Sequence, residues 1–150
     1  MKVIDLFLKT YQLDKDYIKL SFKLRKMINK TIRHMPKSYR YVITNNILDI
    51  MQKITNYCLQ SEYIKLSKDL SMEQFKEKQN LLTKANQLLF NLKIEVIFLF
   101  EMLNEGNTVF KSVEESSKIF DKLLKIIKDT SNAITTIQSI NITTIKKLKI

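Results

Sequence analysis

The chain has 150 residues, 45% of them hydrophobic and 27% charged, which suits one soluble domain with its own core and excludes a disordered polymer. One Gly and one Pro leave almost no material for tight turns or phosphate-cradling loops, so β-rich and dinucleotide-binding folds are disfavoured and long helices are expected. The formal net charge of +11, from 26 Lys+Arg against 15 Asp+Glu, points to an anionic partner, while the abundance of Lys, Ile and Asn also carries the imprint of A/T-rich codons.

Residues 1–14 read as a short helix or an arm. Asp5 interrupts their apolar stretch and no small-residue cleavage pattern follows, so a secretory signal is not expected. No apolar run approaches the roughly 20 residues that a bilayer span requires, so no membrane partner is expected. The single cysteine, Cys58, cannot form an internal disulfide, and with the lack of a signal it points to the cytoplasm.

Residues 15–139 read as the folded domain. Tyr17, Leu20, Leu24, Met27, Ile28 and Ile32 recur at helical steps, which predicts a first long helix from about Asp16 to His34. The only proline, Pro36, stops it, because proline lacks an N–H and is tolerated only near a helix start. Ser38 is then expected to cap a second helix reaching about Leu59, with Ile43, Ile47, Ile50, Met51, Ile54 and Cys58 on its apolar face. Gln60 to Leu70 either continues that helix or forms a connection. Ser71-Met72-Glu73-Gln74 has capping-box spacing and opens a third helix to Leu103, with Leu82, Ala85, Leu89, Leu92, Val96, Leu99 and Leu103 as its core stripe. The lone glycine, in Asn104-Glu105-Gly106-Asn107, supplies the stop. A second capping box, Ser112-Val113-Glu114-Glu115, opens a fourth helix to about Ser139, and residues 140–150 form a basic tail. Four helices with one apolar stripe each and short connections predict an all-α, up-down-up-down antiparallel four-helix bundle.

Two features exceed what such a bundle needs. Between Leu92 and Leu103, Ile94, Ile97, Phe98 and Phe100 add apolar bulk beyond the core stripe, which predicts a subunit or partner interface. Between Asp16 and Asp49 there is no acidic residue, yet Lys19, Lys23, Lys26, Lys30, Arg33 and Lys37 follow one another at steps of three and four, with Arg40 just beyond. Like charges at those spacings weaken an isolated helix by a few tenths of a kcal/mol per pair. A polyanion laid along the helix explains the arrangement better than a solvated face, because each neutralised phosphate releases counterions. A weaker stripe of Lys111, Lys118, Lys122 and Lys125 is interspersed with acids and reads as solvated surface. Tyr39 and Tyr41, beside the basic corner, are candidate base-stacking residues.

No catalytic constellation, metal site or cofactor site emerges. His34 has no evident carboxylate or thiol partner and suits the negative end of a helix dipole, and the Glu-x-x-His pattern of di-iron bundles is absent. Cys58 lies on an apolar stripe and reads as a core thiol.

The order Pro36-Lys37-Ser38-x-Arg40-Tyr41-x-Ile43, at the start of the second helix of a small basic four-helix protein, resembles the Avd family, the accessory variability determinants of diversity-generating retroelements. The likeness spans Tyr17 to Ser139 by helix layout. Met35 stands where members commonly have phenylalanine, and the chain lacks the tryptophan near which many end their fourth helix. Wider relatives include four-helix proteins encoded in ribosomal RNA intervening sequences. The resemblance implies a ring-like homopentamer with a basic surface that binds the element's reverse transcriptase and RNA or DNA. Its part would be non-enzymatic support of mutagenic cDNA synthesis and retrohoming. The other reading is a structural or protein-interaction bundle without a nucleic-acid role.

Overall fold

The structure, a computed structural model, describes residues 2–10, 13–105 and 113–150. Five α-helices run through them: α1 (Val3–Thr10), α2 (Asp16–Ile32), α3 (Asn45–Tyr63), α4 (Met72–Glu105) and α5 (Val113–Leu148). The last four pack around one core in a closed cycle, each against its sequence neighbours, with α2 meeting α5. Pairing residues on α4 and α5 run in opposite senses. Tyr17 meets Glu62, Ser61 meets Lys78, Gln79 meets Gln138, and Phe100 meets Phe120.

The expected apolar stripes become the core. All seven positions of the α4 stripe are buried, as are Ile43, Ile47, Ile50, Met51, Ile54 and Cys58 of the α3 stripe. On α2, Tyr17, Leu24 and Ile28 are buried, while Leu20, Met27 and Ile32 lie at the margin. Each fully buried Leu or Ile contributes about 1.5–3 kcal/mol of transfer free energy. Small polar residues enter this core by bonding to their own helix: the Ser21, Thr55 and Thr130 hydroxyls donate to the carbonyls of Ile18, Met51 and Ile126.

Capping at α4 follows the expected chemistry. The Gln74 N–H donates to Ser71 Oγ at 3.1 Å, and the Ser71 N–H donates to Gln74 Oε1 at 3.0 Å, so each residue satisfies the other. The Gly106 stop and the Ser112 capping box lie outside the described residues.

The structure departs from expectation at two places. Ser38 is not the cap of α3: it lies in a 3-10 turn, Lys37–Tyr39, which leads into a π-turn, Arg40–Thr44, before the α-helix begins at Asn45. Among the described residues Ser38 makes no capping bond; Pro36 instead accepts from the Tyr39 N–H through its carbonyl. Residues 140–148 are not a separate tail, because α5 continues through them and buries Asn141 and Ile145 on the same face as Ile134. An amide ladder holds that extension: Gln138 Nε2 donates to the Gln79 carbonyl, Gln79 Nε2 to the Gln138 carbonyl, and Asn141 Nδ2 to Gln79 Oε1. The N-terminal segment is helical, and Leu8 of α1 joins the core. No helix among the described residues is long and apolar enough to cross a membrane.

Candidate nucleic-acid interface

The 3.6-residue repeat of α2 places its two sequence patterns on opposite sides. Tyr17, Ile18, Leu24 and Ile28 face inward, and Lys19, Lys23, Lys26, Lys30 and Arg33 are exposed, with Lys37 exposed in the turn beyond. Among the described residues none of these six cations makes an ion pair. The salt bridges are made by Lys15 and Lys65 with Glu62, and by Lys53 with Asp49. The strip thus keeps its charge free toward solvent, where a polyanion can reach it. The side chains of Arg40 and Tyr41 lie outside the described set, and Tyr39 is half-buried against the core, which removes it as an open stacking platform.

Neighbouring helices modify the strip at both ends. At its start α1 brings Asp5 and Lys2 to the hollow walled by Lys19, Lys23 and Lys26, so one carboxylate borders this half. At its far end Lys30 and His34 share a second hollow with Lys122 of α5. Sequence reasoning assigned Lys122 to a solvated stripe because Asp121 and Asp129 accompany it; the packing of α2 on α5 is what brings it to the cationic face. His34 is exposed just beyond α2, where its backbone N–H donates to the Thr31 carbonyl.

The four candidate interface residues on α4 separate. Ile94 and Phe98 are 49% and 47% exposed and, with Phe90 at 62%, form an outward stripe at four-residue steps. Ile97 is half-buried beside them. Phe100 turns inward instead, with its ring 5.1 Å from that of Phe120, so it belongs to the core margin. Phe90 was missed because it lies before Leu92, where polar Asn86, Gln87 and Asn91 dilute the local signal.

A cluster of partly buried charges lies at the C-terminal end of α3. Glu62 is 3% exposed and accepts from Tyr17 Oη at 2.6 Å, Lys15 Nζ and Lys65 Nζ. Burial alone would raise its pKa, but the Tyr17 and Lys15 donors, with the nearby charge of Lys78, hold the carboxyl below its ordinary value. Burial, then the Glu62 contact, raises the Tyr17 phenol far above its usual range. Lys78, also 3% exposed, donates to the carbonyls of Ser61 and Ile64, both at 2.7 Å, and burial lowers it to about 8. This cluster has every member partnered and ties α2, α3 and α4 together, which is a structural arrangement. Cys58 is fully buried, and burial pushes its thiol up to about 12, far from the reactive thiolate. Among the described residues no three His, Cys, Asp or Glu side chains converge as metal ligands would.

No known protein family matches the chain, and no curated protein or solved structure is similar to it.

Proposed function

We propose that this protein is a non-enzymatic nucleic-acid-binding bundle whose α2 face lies along phosphate backbone, acting as an accessory subunit of a diversity-generating retroelement reverse transcriptase. The supporting observation is the row of exposed cations Lys19, Lys23, Lys26, Lys30, Arg33 and Lys37, none with a carboxylate partner among the described residues. Lys122 extends the row, and Arg40 belongs to it by sequence position. The reverse-transcriptase role, the RNA or DNA partner and a pentameric assembly rest on the Pro36-to-Ile43 resemblance to Avd proteins. The opposed pairings of α4 and α5, with the closed cycle of helix contacts, support an up-down-up-down antiparallel bundle. Of the outward stripe on α4, Ile94 and Phe98 support a subunit or polymerase contact.

Binding to RNA and DNA measured against salt tests the reading. Affinity should fall with a log–log slope of about 0.7 to 0.9 per phosphate contacted, and Lys23→Gln/Lys26→Gln/Lys30→Gln/Arg33→Gln should flatten that slope without changing oligomer size. Undetectable or salt-insensitive binding overturns it. The same stripe on α4 favours one other reading, a protein-interaction bundle without nucleic acid, and absence of binding in both the unmodified protein and the fourfold variant supports that alternative. A reverse-transcriptase gene beside this one, flanked by repeats differing mainly at adenines, would support the accessory role.

A further inference from the structure

A groove of about 570 Å³ runs between α4 and α5, on a different side of the bundle from the α2 strip. Lys93 stands on one wall and Lys125 and Lys128 on the other, and no acidic residue is among those lining it. Phe90 sits at its rim, 62% exposed, with the amide side chain of Asn132 across from it on α5. Leu89 and Ile127 close the floor. A solvated lysine face needs no aromatic ring among its charges, and an apolar protein contact is poorly served by three cations around one phenylalanine.

Positive charge on both walls and a free aromatic face between them are complementary to an anionic strand that carries flat, unstacked bases. A duplex satisfies the charge but not the ring, because its bases are already stacked on one another. We propose that the α4/α5 groove is a single-strand site, in which Phe90 stacks on a base while Lys93, Lys125 and Lys128 hold the flanking phosphates. The proposal rests on the reading of the protein as a nucleic-acid binder, but it is independent of the α2 strip.

The test is fluorescence anisotropy with the whole protein, using a thymidine oligonucleotide of about twelve nucleotides and a duplex of equal length. Phe90→Ala, a change at an exposed position, should weaken single-strand binding roughly five- to hundredfold, leaving duplex affinity and the salt slope as in the unmodified protein. Phe90→Tyr keeps the ring and should retain binding, whereas Phe90→Leu keeps apolar bulk and should not. Lys125→Gln/Lys128→Gln should reduce the single-strand salt slope by about 0.7 for each phosphate that is no longer neutralised. The groove proposal falls if Phe90→Ala binds both forms as the unmodified protein does, weakens both equally, or acts only by changing oligomer size in light scattering. Those outcomes leave nucleic-acid binding itself standing. If the unmodified protein binds neither form, the broader reading falls and the groove proposal with it. If the fourfold α2 variant binds normally while Phe90→Ala does not, the strip is overturned and the groove upheld.

Discussion

The Tyr17 hydroxyl donates to Glu62 at 2.6 Å, joining the first turn of α2 to the last turn of α3 across the buried end of the bundle. Tyr17→Phe keeps the ring and removes the donor. A hydrogen bond to a charged group contributes about 1.5–3 kcal/mol, so the urea midpoint should fall by that equivalent with an unchanged m value. A loss below about 0.5 kcal/mol would show the contact to be energetically idle.

Glu62 also sets an acid limit. Its folded pKa lies below the ordinary 4.5, so below that value the unfolded chain takes up the proton first. The stability it contributes is fully present above about pH 4.5 and is lost as pH falls through the folded value. Glu62→Gln should flatten urea midpoints across that window, and Tyr17→Phe should move the loss to higher pH.

Lys78 has the opposite sign. Burial lowers it to about 8 from 10.5, so between those values the unfolded chain holds the extra proton and stability rises with pH. Lys78→Met removes the Lys78 donor to the Ile64 carbonyl and one of the two donors to the Ser61 carbonyl, at a cost of about 1–3 kcal/mol. Denaturation series at about pH 7 and about pH 9.5 should show the native protein gaining on this variant as pH rises; a constant difference would rule out a titrating Lys78.

The reciprocal Ser71 and Gln74 bonds predict a local effect. Ser71→Ala should cost about 1 kcal/mol, and hydrogen exchange should quicken in the first turn of α4 while the protection of Leu89 and Leu92 follows only the global change.

The α2 strip predicts a gain rather than a loss. Its cations stand at repelling helical spacings without carboxylate partners among the described residues, so Lys23→Gln/Lys26→Gln/Lys30→Gln/Arg33→Gln should raise stability by a few tenths of a kcal/mol per pair at low salt. The gain should vanish in molar salt, where the Debye length is about 3 Å. Thermal melts at two ionic strengths check this, and destabilisation would show that the strip serves the fold.

What was legible in the sequence follows a physical division. Periodicity carries burial, so the stripe from Leu82 to Leu103 and the stripe through Ile47 and Ile54 were readable from spacing alone. Capping is local chemistry, which made the start of α4 readable to the residue. The path from Pro36 to Asn45 was not, because the backbone passes through 3-10 and π geometry whose hydrogen bonds depend on how the corner packs. The extension of α5 was hidden by polar residues: Asn141 looks like surface until Gln79 of another helix is placed beside it. The candidate site divides likewise. Exposure of the α2 cations follows from being opposite a core stripe, whereas Lys122 and Phe90 gain significance only from the neighbour across a groove.

Lysine has a second role here that bears on how the composition is understood. Helices commonly end on a glycine in the left-handed conformation, and this chain has one glycine in all. At α3 the closing residue is Ile64, with φ −79° and ψ 102°; its own carbonyl is covered by the ammonium of Lys78, which also joins the Ile64 N–H on the Ser61 carbonyl. Farther along the same connection, the carbonyls of Lys68 and Leu70 are covered by Lys149 from the end of α5. A long flexible amine reaching in from another helix thus terminates the backbone where a shorter, looser residue would otherwise do so. Two lysines, Lys78 and Lys149, serve backbone carbonyls of the α3–α4 connection, and that part of the positive charge is not free to attract an anion.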